Sequence, residues 1–222
     1  MKVAVIQFPG SNCDRDTIDV LRNVLKLEAE LIWHGDFSDT EYDAAILPGG
    51  FSFGDHLRAG IIAAHSPAIK TVRKLADQGK PILGICNGFQ ILIESGLLPG
   101  ALIRNASLKF VCKWVNLQVE NYRSAFTCAF KKNSRATMPI AHNEGRFFAD
   151  DELLDRLTSE GRVVMTYVGE NPTGTSRGIA AVSNEKGNVV GMMPHPERAS
   201  DFALGGADGL KVFESMVEWV QC

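Results

Sequence analysis

No apolar run in this sequence approaches the roughly 20 residues that a membrane-spanning helix needs. Basic residues form no cluster and the formal net charge is −3, which argues against a phosphate backbone as the main partner. The five cysteines (Cys13, Cys86, Cys112, Cys128 and Cys222) are odd in number and never spaced C-x-x-C. That spacing argues against a disulfide framework and against a zinc site, and leaves reduced thiols as the expectation. There is no G-x-x-x-x-G-K-[ST] loop and no set of carboxylates laid out for magnesium, so no ATP-driven step is readable on this chain. Residues 1–7 enter an apolar strand pattern without a signal-peptide core, and the expectation is a soluble, cytoplasmic protein with neither membrane nor nucleic acid as partner. Repeats, linkers and low-complexity tracts are also missing. A single domain over 1–222 is the economical reading, and 222 residues are enough for a full core.

What is present begins with short apolar runs separated by helical periodicity. Strands are predicted at 2–7, 29–33, 44–47 and 81–85. A helix is predicted over about 13–27, with Ile18, Leu21, Val24 and Leu25 on one face. Ser66-Pro67 opens another helix and Gly79 ends it. Continuous apolar strands alternating with helices indicate a parallel sheet covered on both faces, hence an α/β fold. Between 108 and 140 the pattern changes to period two, with Phe110, Cys112, Trp114 and later Phe126, Cys128, Phe130, which predicts antiparallel strands whose aromatic residues belong to the core. A helix at 151–159, strands at 162–168, 178–183 and 188–193, and a closing helix over 207–220 with Leu210, Phe213, Val217 and Val220 inward complete the chain.

The most informative stretch is Pro81-Ile-Leu-Gly-Ile-Cys86-Asn-Gly-Phe-Gln90. Cys86 falls on the turn from strand to helix, with Gly84 and Gly88 two positions to either side. This is the Cys version of the G-x-S-x-G elbow. Residues without a Cβ let strand and helix crowd together, and the helix N-terminus favours the thiolate, which is the reactive form. A small buried thiol on a tight turn fits G-x-C-x-G equally well. Two further segments weigh against that blander alternative. Pro48-Gly49-Gly50-Phe51-Ser52 follows the third strand at its carboxyl end, where open parallel sheets bind ligands. The backbone N–H groups of Gly50 and Asn87 are the natural pair to hold an oxyanion. Met193-Pro194-His195-Pro196-Glu197 follows another strand. The residue before a proline is kept extended, so His195 is held out of helix with a carboxylate two residues on to orient it as a base.

G-I-C-N-G-F-Q at 84–90, P-G-G-F-S at 48–52 and P-H-P-E at 194–197 resemble the class I (triad) glutamine amidotransferases. F-P-G-S-N-C-D at 8–14, G-D-x-L-R-A-G at 54–60, N-A-S-L-K-F at 105–110 and H-N-E-G-R at 142–146 resemble one branch of them: the separately encoded glutaminase subunits of phosphoribosylformylglycinamidine synthase. The likeness spans essentially the whole chain, and Asn87 stands where other class I members usually carry Leu. It implies a flavodoxin-like sheet and hydrolysis of L-glutamine through a Cys86 glutamyl thioester, with His195 as base and then acid and Glu197 orienting it. It implies ammonia passed to a large synthetase subunit, which would hold ATP and magnesium and convert formylglycinamide ribonucleotide to the amidine, and a small bridging subunit. No cofactor or metal is implied on this chain. Gln90 would touch the bound glutamine, and Gly49, Phe51, His142 and Glu144 are further candidate substrate contacts. Cys13 reads as structural or as part of a partner-facing edge, and His34, His56 and His65 as surface residues. Two other readings stay open: a stand-alone Cys hydrolase of this fold, and a non-enzymatic flavodoxin-like module whose thiol is only a sensor.

Overall fold

The structure, a computed structural model, describes residues 1–38, 40–131 and 133–221; Cys222 lies outside them. In chain order the elements are β1 (Lys2–Gln7), α1 (Asp14–Asp19), β2 (Glu28–Trp33), β3 (Ala44–Leu47), α2 (Ile61–Ala64), α3 (Ala68–Asp77), β4 (Ile82–Ile85), α4 (Asn87–Glu94), β5 (Ala101–Ile103), β6 (Val111–Val119), β7 (Arg135–His142), β8 (Arg146–Phe148), α5 (Asp151–Ser159), β9 (Val163–Tyr167), β10 (Ile179–Ser183), β11 (Val189–Met192) and α6 (Leu210–Gln221). One nine-stranded sheet runs β2-β1-β3-β4-β11-β10-β9-β6-β7, and β5 pairs with β8 apart from it. From β2 to β11 every pairing is parallel, and from β11 to β7 every pairing is antiparallel. Every residue of β3, β4 and β11 is buried, as strands covered on both faces require. The expected parallel α/β sheet is therefore present, and the antiparallel strands extend its edge.

Several local expectations are corrected. The first helix stops being α-helical at Asp19 and continues as a π turn over Val20–Val24, closed by Leu25 N–H donating to Val20 O at 3.0 Å. The extra residue per turn rotates the apolar stripe, so Val20 and Leu21 are buried while Val24 is 37% exposed. On β6 the buried face is Val115, Leu117 and Val119, the opposite parity to Cys112 and Trp114, which are exposed. Phe126, Cys128 and Phe130 lie in turns between β6 and β7, not on a strand. Phe126 and Phe130 are nevertheless buried, which is how burial imitated alternation. In α6 the buried residues are Val212, Phe213, Ser215 and Met216, since Ser215 faces the 124–130 turns and accepts the Cys128 thiol on its carbonyl at 3.1 Å.

Candidate active site

Cys86 connects β4 to α4 with φ 50° and ψ −102°, a left-handed conformation that costs a side-chain-bearing residue roughly 1–3 kcal/mol. Its N–H donates to Met192 O at 2.8 Å, and its carbonyl accepts from Phe89 and Gln90 N–H, so the turn is pinned from both sides. The glycines are required by contact. A Cβ on Gly88 would sit 1.9 Å from Leu47 O, and one on Gly84 would sit 2.6 Å from Gly88 backbone. Strand and helix thus pack closer than any other residue allows, and the sulfur is carried to the carboxyl edge of the sheet.

β11 lies beside β4 in parallel register, Met192 opposite Ile85, so the segment 193–197 beyond it arrives at the same edge. His195 N–H donates to Pro139 O at 2.8 Å, and its Nδ1 lies 2.5 Å from Glu197 Oε1, both side chains being buried. The other ring nitrogen, Nε2, is buried without a hydrogen-bond partner among the described residues. Burial opposes the imidazolium. The charge of Glu197 and the neighbouring Cys86 and Cys13 outweigh it and hold His195 well above the usual histidine pKa. The imidazolium is the form a thiolate partner needs.

Gly50 and Ser11 form an antiparallel bridge in which Phe51 N–H donates to Gly10 O at 2.9 Å and Asn12 N–H to Gly49 O at 3.2 Å. These are the bonds that flank a non-hydrogen-bonded pair, so the N–H of Gly50 itself is left out of the bridge. The N–H of Asn87 is the first in α4, where a helix offers no internal acceptor. The Asn87 side chain accepts from Ser52 N–H at 3.1 Å and donates to Gln90 Oε1 at 2.9 Å, while Gln90 Nε2 donates to Glu144 O at 2.6 Å. Those bonds lock the elbow, the 48–55 loop and the 142–145 loop around one cavity.

That cavity, about 240 Å³, has Cys86 in its wall together with Gly50, Phe51, Gln90, His142 and Glu144. Of the residues singled out from sequence, only Gly49 among the proposed substrate contacts is placed elsewhere. A Cβ there would lie 2.8 Å from His195 Cε1 and 3.0 Å from Cys13 Sγ, so Gly49 makes room for the imidazole. His142 is buried, its Nδ1 3.2 Å from Asn105 Oδ1, and burial followed by the charge of His195 pushes it down to about 3. Of the two readings of Cys13, burial fits the structural one: it is 2% exposed and lies against the base, with Arg198 donating to its sulfur at 3.2 Å. His56 and His65 are exposed, whereas His34 is half-buried and stacks on Phe8 with ring centroids 5.4 Å apart. Sequence reasoning missed Asp55, Arg104 and Asn105. Asp55, at the end of the 3-10 segment Ser52–Asp55, and Arg104, in the loop after β5, line the cavity; Asn105 is fully buried, donates to His142 O at 2.9 Å and accepts from Gly145 N–H. Asp55 and Asn105 stand in the motifs at 54–60 and 105–110 but were given no role there, and Arg104 directly precedes the second motif. Cys13, His195 and Glu197 place one donor atom each within 4.8 Å of one another, the one such trio among the described residues, but its imidazole and carboxylate are already bonded together.

A larger cavity, about 710 Å³, lies elsewhere, lined by Trp114 and Leu204 among others, and touches this machinery at Glu197 and Arg198. Chemistry, not size, identifies the site.

A chain in the structure of PurLQS from Thermotoga maritima is 47% identical, with 99% of this chain and 98% of that one covered and a TM-score of 0.90. A glutamine amidotransferase from Thermotoga maritima (16% identity, 100% and 99% covered, TM-score 0.63) and the glutaminase domain of Trypanosoma brucei CTPS (11%, 100% and 94%, 0.65) share the fold. The family described as CobB/CobQ-like glutamine amidotransferase domain matches residues 1–220, and the chain belongs to it.

Proposed function

We propose that this chain is the glutaminase subunit of a phosphoribosylformylglycinamidine synthase. The observation that carries the reading is the meeting of Cys86 with the buried His195–Glu197 pair at the ends of adjacent parallel strands, beside a cavity of amino-acid size. The thiolate of Cys86 adds to the side-chain amide carbonyl of glutamine, and the N–H groups of Gly50 and Asn87 take the oxyanion. His195 gives its proton to the amide nitrogen, ammonia leaves, and a glutamyl thioester remains. His195 then takes a proton from water as it attacks, and glutamate departs with the thiolate restored. Glu197 fixes the ring and favours its charged form throughout.

Ammonia passes to a large synthetase subunit that holds ATP and magnesium and makes the amidine of formylglycinamide ribonucleotide, with a small bridging subunit between them. The 47% identity to a chain of PurLQS and the lack of any nucleotide-binding loop in this sequence support that division. No metal or cofactor is assigned to this chain. No helix of the described residues is long and apolar enough to cross a membrane, in keeping with a cytoplasmic role. Cys86→Ala tests the reading in the assembled complex: glutamine-dependent synthesis falls to background while ammonia-dependent synthesis continues. Loss of both would contradict the assigned role.

A further inference from the structure

A second sulfur reaches the base from outside the triad. Cys13, which directly precedes α1, is 2% exposed, and its Sγ lies within 4.8 Å of donor atoms of His195 and Glu197. Its backbone and its thiol are bonded to different parts of the site. The N–H donates to Gly49 O at 3.2 Å, one residue before the Gly50 donor, and the carbonyl accepts from Thr17 Oγ1 at 2.8 Å. The thiol donates to Asn12 Oδ1 at 3.1 Å, and the sulfur accepts from Arg198 Nη2 at 3.2 Å. Arg198 belongs to the 3-10 turn Pro196–Ala199, which carries Glu197, and its Nε donates at 3.2 Å to Asp16 Oδ2 in the first turn of α1. Gly49 leaves the space in which imidazole and sulfur meet, since a Cβ there would press on both.

We propose that Cys13 and Arg198 are positioning residues for the glutaminase reaction, keeping the His195–Glu197 pair in register with the Gly50 donor. The proposal rests on the glutaminase reading and adds to it two residues, neither of which lines the cavity beside Cys86. β11 brings His195 to the sheet edge, but the strand ladder ends at Met192, three residues short of the imidazole. Arg198 adds a hold there by pinning the turn to Cys13 and Asp16, and Cys13 passes that hold to the loop at Gly49. A thiol suits this place because it accepts from a guanidinium while staying neutral, whereas a carboxylate would compete with Glu197 for the imidazolium. Burial pushes the Cys13 thiol up, against the pull of His195 and Arg198, so it stays protonated. The two sulfurs near the imidazole divide the work: Cys86 lines the cavity and reacts, and Cys13 holds.

The test uses the full chain assembled with its synthetase. Glutamine kcat and KM are measured per Cys86 titrated by the diazoketone analogue of L-glutamine, so that misfolded protein is not counted. The pH midpoint of Cys86 alkylation by iodoacetamide is read by peptide mass spectrometry. Cys13→Ala lowers kcat by about 10-fold to 10²-fold, as a small displacement of the base does, with KM within about twofold of native. The midpoint rises, because a displaced imidazolium no longer stabilises the Cys86 thiolate. Cys13→Ser, whose hydroxyl also donates and accepts, recovers most of the lost rate. Arg198→Met gives a similar loss, and combining it with Cys13→Ala costs little more, since both remove one contact. A kcat for Cys13→Ala within about threefold of native overturns the proposal. So does a loss with an unmoved midpoint, a Cys13→Ser as slow as Cys13→Ala, or a double variant whose losses multiply. If Cys13→Ala leaves no titratable Cys86, Arg198→Met decides alone: the kcat loss with a raised midpoint supports the proposal, and either one missing overturns it. If the diazoketone does not modify Cys86 in the native protein, the glutaminase reading itself falls.

Discussion

In the parallel half of the sheet, β3, β4 and β11 are neighbours in one ladder, and each places a candidate group beyond its carboxyl end: Gly50, Cys86 and His195, which we propose as oxyanion donor, nucleophile and base. In the antiparallel extension, β7 ends at His142, and the loop after it supplies Asn143 and Glu144 to the cavity wall facing the nucleophile. The first half holds groups that must meet within hydrogen-bond reach, and a buried ladder fixes its residues by register. The second holds groups that contact whatever occupies the cavity, and Asn105 and Gln90 brace it with side-chain bonds to backbone carbonyls. Damage to the parallel half should therefore appear in kcat, and damage to the antiparallel wall in KM.

Glu197→Gln gives the largest effect. The substitution keeps the volume of a side chain that is 1% exposed but removes the charge that, against burial, keeps His195 an imidazolium. By analogy with the loss of the orienting carboxylate in serine triads, kcat for glutamine hydrolysis falls by about 10³–10⁴-fold, and the acid limb of its pH profile changes with it. Unchanged ammonia-dependent synthesis would show that the complex is intact. A drop of less than tenfold would detach Glu197 from the mechanism.

Two glycines then set the halves against each other. At Gly49 a Cβ would press on His195 Cε1 at 2.8 Å, and at Gly145 one would overlap the His142 ring at 2.0 Å. Gly49→Ala displaces the base, and a misplacement on the order of 1 Å is worth about 10²-fold in kcat. Gly145→Ala displaces the wall and raises KM by about tenfold with kcat little changed. Steady-state glutaminase kinetics on both variants decide it. If Gly145→Ala lowers kcat and leaves KM alone, the division between the halves is wrong.

The same division explains what the sequence revealed. The parallel half was legible because strands buried on both faces leave unbroken apolar runs, and because an elbow needs glycine at fixed offsets from its nucleophile. Cys86, Gly50, Asn87, His195 and Glu197 all come from that grammar. The antiparallel half was harder. Trp114 and Cys112 keep the alternation of a strand while pointing away from the core, and Phe126 and Phe130 fill it from turns. The π turn after α1 moved the buried stripe because nothing in Val20–Val24 announces an extra residue per turn. Asp55 and Asn105 sit in motifs the sequence did show, at 54–60 and 105–110, but their meeting with Arg104 around one cavity is a tertiary contact that the motifs do not state. The nearness of Cys13 to His195 was hidden for the same reason: Gly49, whose Cβ would meet both, is brought beside Cys13 by the pairing of Ser11 with Gly50.

The smallest effect separates the halves by pH. His142 is buried and held at about 3 by desolvation and by the charge of His195, against roughly 6.5 in an unfolded chain. Between those values the unfolded state binds a proton that the folded state refuses, so lowering the pH through this window weakens folding by up to about 1.4 kcal/mol per unit. His195 is shifted the other way and stabilises the fold below about pH 6.5, which partly masks the trend in the native protein. Comparing native protein with His142→Gln in urea titrations at pH 7 and pH 5.5 removes that mask, because His195 is common to both. The native protein should lose about 1–2 kcal/mol relative to the variant over that interval. Parallel losses would mean that His142 takes a proton in the folded state. The wall would then be open to water where the structure has it closed, while the chemistry of the parallel half would stand.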